Sequence, residues 1–98
     1  MGIYMMEIAF NEEKILEDGI YNLNDMHERL DKLFQSLQMN KQGKGIYIGG
    51  DFAKHGAAVW RLTDSICFMT YVKKWIMVQD SKAEDLVAHY KEEGLIPS

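Results

Sequence analysis

Ninety-eight residues, 47% of them hydrophobic and 27% charged, suffice for one domain with a buried core and are too few for two. That hydrophobic content excludes a disordered chain, and the longest apolar run falls far short of the roughly 20 residues that cross a bilayer as a helix. A formal net charge of −4 disfavours general binding to nucleic acid or to anionic membrane.

Residues 1–10, MGIYMMEIAF, carry one charge, Glu7, and are expected to form an edge strand or an extended arm packed on the core. Asn11 followed by Glu12, Glu13 and, further on, Gly19 reads as a short helix with an N-cap side chain, first-turn acids and a glycine stop. Asn22 with Asp25 resembles a capping box, and Tyr21 against Met26 has hydrophobic-staple spacing. Leu23, Met26, Leu30, Leu33, Phe34 and Leu37 then recur at intervals of three and four, with Glu28, Arg29, Asp31, Lys32 and Gln35 on the other side. This predicts a long amphipathic helix, ended by the polar segment from Asn40 to Gly45.

Ile46-Tyr47-Ile48 is a glycine-bounded strand candidate, and Ala57 to Leu62 is a second one, so the pair predicts a hairpin with a wide loop. Thr63-Asp64-Ser65 is a turn or cap cluster, after which a short helix over 65–71 is favoured over strand. Lys74 to Val78 is a third strand. Ser81 and Glu84 have capping-box spacing, Ala83, Leu86, Val87 and Tyr90 make an apolar face, and Gly94 supplies a stop before Pro97. The resulting expectation is a single α+β domain over residues 1–98, with a small antiparallel sheet of about three strands packed against two main helices plus short helices.

The stretch from Gly43 to Trp60 holds most of the chain's eight glycines and is the natural place for a site. Gly49-Gly50-Asp51-Phe52 resembles the signature hairpin of diguanylate cyclases. That family has a second acid where Phe52 stands here, and a metal-binding acid on the preceding strand where residues 46–48 offer none. Cyclase chemistry is therefore not expected. The spacing of Gly43, Gly45, Gly49 and Gly50 invites a phosphate-loop reading, but these glycines flank a predicted strand rather than follow one and open a helix, and no Gly-Lys-Ser/Thr ending is present.

His55 with Asp51 as its orienting partner has the makings of a general base, yet no nucleophile accompanies it, and an exposed loop histidine is the plainer reading. His27, His55, His89 and Cys67 fall on four different predicted elements without metal-ligand spacing, so neither a metal nor another cofactor is expected. Cys67 lies in an apolar run and is expected to pack as a small hydrophobe; one cysteine and no leader pattern suit a cytoplasmic location. Lys41, Lys44, Lys54, Lys73 and Lys74 near Tyr47, Phe52 and Trp75 suggest a surface for a single nucleic-acid strand, a reading opposed by the net charge.

The run Gly45 to Gly49, then Lys54 to Trp60, then Val72-Lys73-Lys74-Trp75 resembles small uncharacterised proteins carried on mobile elements of Gram-positive bacteria. The resemblance implies an accessory role, as inhibitor, immunity factor or regulator, that works by binding. It transfers no catalytic residue. The chain is accordingly expected to be a non-catalytic module that engages a protein, with an exposed aromatic patch at Trp75, Phe52 or residues 3–6. The contact residues expected are Lys44, Tyr47, Asp51, Phe52, Lys54, His55 and Trp75. The alternative is a nucleotide or nucleic-acid binder, or a small enzyme, that uses the glycine loop with Asp51, Lys54 and His55.

Overall fold

Met6, Ile8 and Phe10 alternate with Met5, Glu7 and Ala9, so strand β1 (Met5–Phe10) buries every second side chain on one side. A computed structural model describes residues 3–80 and 82–96 of the chain. After β1 come α1 (Glu12–Asp18), α2 (Leu23–Ser36), β2 (Asn40–Gly43), β3 (Ile46–Ile48) and α3 (Phe52–Thr63), then α4 (Ile66–Tyr71), β4 (Val72–Gln79), β5 (Lys82–Asp85) and α5 (Leu86–Glu92). The strands form one sheet in the order β2-β3-β1-β4-β5, with every neighbouring pair antiparallel. The architecture is α+β, with five strands and five helices among the described residues rather than about three strands and two main helices.

The first strand is central, not an edge or an arm. It pairs with β3 through Met6 opposite Tyr47, and with β4 through Ile8 opposite Trp75. Its apolar side chains, together with Tyr47 and Trp75, make the floor of the core. Trp75 is fully buried and donates its indole N–H to the Met6 sulfur at 3.1 Å.

All five helices contribute to the core above this one sheet face. Phe34 of α2 stacks on Tyr47 with ring centres 4.2 Å apart, Phe68 of α4 meets the edge of Trp75 at 4.9 Å, and Tyr90 of α5 stacks on the same indole at 5.6 Å. The opposite face carries Met5, Ile46, Ile48, Ile76 and Val78, all half-exposed, around the ion pair of Lys74 with Glu7 at 2.6 Å. One sheet and one helix layer account for the shortest dimension of 19 Å.

Local signals set the helix ends. Asn11 accepts from the Lys14 amide at 3.2 Å, Asn22 from the Asp25 amide at 3.1 Å, and Ser65 from the Phe68 amide at 3.2 Å, while Gly19 closes α1 in the left-handed conformation. The Tyr21 ring lies edge-on to Tyr71 at 5.9 Å.

Three segments depart from expectation. Residues 40–43 form an edge strand instead of a polar loop, turning through Gly45, whose carbonyl accepts from the Ile8 amide at 2.8 Å. Ala57 to Leu62 is helical, not a strand, so no hairpin follows Ile48. Glu84 lies on β5 and Asp85 caps α5 in its place; Ser81 and Pro97, two of the residues in the expected last helix and its stop, lie outside the described residues.

Candidate protein-binding face of the third helix

Strand β3 leads through Gly49 and Gly50, at φ of 111° and 78°, directly into α3. Gly49 and Gly50 therefore follow a strand and open a helix, which the sequence reading did not expect, while Gly43 and Gly45 precede β3 as expected. Asp51 is the N-cap: its Oδ1 accepts from the Lys54 amide at 2.8 Å and places a negative charge at the positive end of the helix dipole. That carboxylate occupies the position that an anionic ligand of a phosphate loop takes.

His55 is not an exposed loop residue. It lies on α3 and is fully buried, with Nε2 donating to the Gly49 carbonyl at 3.0 Å and the Tyr4 ring edge-on at 5.4 Å. This bond puts the proton on Nε2 and leaves buried Nδ1 as an acceptor with no partner among the described residues. A Cβ at Gly50 would come within 3.3 Å of the imidazole, so the glycine lets the loop close over the ring.

The other expected contact residues are dispersed. Lys54 Nζ donates to Gln38 at 2.7 Å, Asp51 is held by its own helix, and Asp51, Lys54 and His55 line neither the cavity beside α2 nor the one beside Lys73 and Lys91. Lys44 sits in the β2–β3 turn, paired with Glu12 at 3.1 Å. Tyr47 is buried and donates its hydroxyl to Asp31, which also holds Lys41 at 2.9 Å. Burial pushes the Asp31 carboxyl up, but the hydrogen bonds from Tyr47 and Lys41 outweigh it and hold the group below its ordinary range; burial and the same carboxylate raise the Tyr47 phenol well above its usual value. Buried Trp75, Tyr47 and His55 cannot touch a partner. With Lys41, Lys44 and Lys74 in ion pairs, the basic surface suggested for nucleic acid is largely neutralised. No three His, Cys, Asp or Glu residues form a metal-binding group among the described residues, and no helix there is long and apolar enough to cross a membrane.

Phe52 remains exposed, and α3 gives it a setting. At about 100° per residue, His55, Ala58 and Leu62 point into the core, and the side of the helix turned away from them carries Phe52, Ala53, Gly56, Ala57 and Trp60. All five are exposed and none is charged, while the exposed Arg61 and the C-cap Asp64 border them at the C-terminal end of the helix. Phe52 has 72% and Trp60 76% of its surface accessible. Between these two rings lies Gly56, where an added Cβ would meet nothing within 4 Å and the backbone is ordinary helix. Glycine inside a helix costs about 1 kcal/mol relative to alanine, so packing within the domain gives no reason for it. The result is a helix with two apolar faces, one spent on the core and one turned outward with a shallow notch between two aromatic rings.

Sequence reasoning missed Gly56 and Trp60 as surface residues because Val59-Trp60-Arg61-Leu62 alternates like a strand. The signal that marks them is Asp51 as an N-cap followed by the core triplet His55, Ala58 and Leu62 at spacings of three and four. Comparison of the chain with protein-family models, curated proteins and solved structures finds no match.

Proposed function

We propose that this chain is a non-catalytic binding module that engages another protein through the outward face of α3. The observation that carries the reading is the fully apolar, solvent-facing set Phe52, Ala53, Gly56, Ala57 and Trp60. Burying a large apolar side chain contributes about 2–3 kcal/mol, and aromatic residues dominate the energetics of protein contacts. A small-residue notch between two rings suits the close approach of a partner's helix, since each backbone that lacks a bulky side chain at the crossing lets the axes come nearer. An inhibitory, immunity or regulatory role, the kind implied by the resemblance to accessory proteins of mobile elements, needs no more than such a surface.

Site-specific photo-crosslinking tests the proposal. A photoreactive phenylalanine analogue placed at position 52 or 60, in the cells that make the protein, should give the same discrete protein adduct. The adduct should be absent with the analogue at Lys32, on the exposed side of α2, and lost when Gly56→Leu fills the notch. Equal adducts at all three positions, or adducts indifferent to Gly56→Leu, would refute the assignment.

A further inference from the structure

Both arginines of this acidic chain line one cleft, away from the outward face of α3. The cleft has a volume of about 420 Å³. Its apolar floor is made by Phe10, Met26, Leu30, Leu62 and Phe68, all core residues of β1, α2, α3 and α4. Arg29 stands on the α2 wall and Arg61 on the α3 wall, each reaching the cleft from an exposed position. Neither guanidinium is ion-paired among the described residues, although four of the lysines have carboxylate partners. Asp25 is the one carboxylate in the lining, and Tyr21, Asn22, Ser65 and Cys67 supply its other polar groups.

Two features make this more than a gap between helices. The volume lies within the range of small-molecule sites, which combine apolar walls with a few placed polar groups. An arginine fork matches a planar carboxylate in a two-point hydrogen-bonded contact, and two unpaired forks over an apolar floor are complementary in charge to an anion with an apolar body. Asp25 offsets one of the two positive charges, which favours a singly charged head group over a polyanion.

We infer that the cleft between α2 and the α3–α4 corner binds a small amphipathic organic anion, its apolar body against Phe10, Leu30, Leu62 and Phe68 and its carboxylate or sulfonate between Arg29 and Arg61. Cys67 supplies a reporter inside the same cleft. Burial pushes its thiol up while the nearby Arg29 charge pulls the other way, so it should alkylate more slowly than a free thiol.

The test uses the full chain with two fluorescent probes of nearly equal shape, anilinonaphthalene sulfonate, which is anionic, and N-phenylnaphthylamine, which is neutral. The anionic probe should bind saturably, be displaced by decanoate, and slow alkylation of Cys67. Its affinity should exceed that of the neutral probe by about tenfold or more, the scale of charge-assisted hydrogen bonds. In the Arg29→Gln, Arg61→Gln double variant that preference should vanish while the neutral probe binds as before and the melting temperature is unchanged. Equal affinity for the two probes, an affinity for the anion that survives the double substitution, or binding that leaves Cys67 alkylation unaltered would each overturn the inference.

Discussion

Replacing Gly56 by alanine should make this protein more stable. The residue sits inside a twelve-residue helix, exposed, with no heavy atom within 4 Å of the position a Cβ takes. The substitution therefore adds no clash and loses no hydrogen bond, and what remains is the difference in helix propensity, about 1 kcal/mol in favour of alanine. For a domain of this size, 1 kcal/mol raises the melting temperature by roughly 4–8 °C. Thermal unfolding followed by far-ultraviolet circular dichroism measures the shift, with Gly50→Ala as a control of opposite sign, because its φ of 78° and the imidazole 3.3 Å away penalise any side chain. A Gly56→Ala protein that melts at or below the parent temperature would refute the reasoning, since it would mean that the domain itself needs the glycine. On the proposed reading of α3 as a protein-binding face, a variant that gains this stability should bind a protein partner more weakly.

Gly45→Ala should unfold or nearly unfold the domain, because the Cβ would fall 2.0 Å from the Ile8 carbonyl oxygen at a backbone φ of 75°; a cooperative melt within a few degrees of the parent would show that the β2–β3 turn is not pressed against β1 as described. His27 titrates below its ordinary value of 6.5, chiefly through burial and also through the charge of Lys44, although Glu12 and Asp31 pull it back. The unfolded chain therefore binds this proton more tightly than the native one, so the His27 contribution is fully present above pH 6.5 and is lost as the pH falls through the lower native value. Denaturant midpoints at about pH 7.5 and about pH 5.5 should differ less in His27→Leu than in the parent. Tyr47→Phe should cost about 1 kcal/mol near neutral pH by removing a donor from Asp31. Asp31 is held below its ordinary 3.8, so the stability it adds exists above that pH and disappears on acidification; the parent and Tyr47→Phe curves should converge there.

Most of the helix starts and the long stripe of α2 were legible because their causes are local. An asparagine or serine side chain satisfying an amide three residues on leaves a sequence trace, as at Asn11, Asn22 and Ser65. α3 was hidden by the property that makes it a candidate site. A second apolar face in Phe52, Ala57 and Trp60 erases the contrast from which a helical period is read, and the strand-like Val59 to Leu62 run then takes over. The edge strands β2, reading NKQG, and β5, reading KAED, have no strand composition at all; backbone pairing with β3 and β4 forms them. The two arginines of the cleft stand far apart in sequence, and only the packing of α2 beside α3 brings them to one cavity.

The place of β1 also governs when the domain can fold. The hairpins β2–β3 and β4–β5 close over short loops, but the strand that joins them is made first and must wait for partners as late as Ile48 and Val78. Until Gln79 has left the ribosome, Met6, Ile8 and Phe10 have only part of a sheet to pair with. Folding thus depends on long-range pairing, and its barrier lies in the entropy of bringing β1 between two hairpins. Sliding that strand in the sheet would break its pairing with both β3 and β4, so the two hairpins, though separate local units, share one strand.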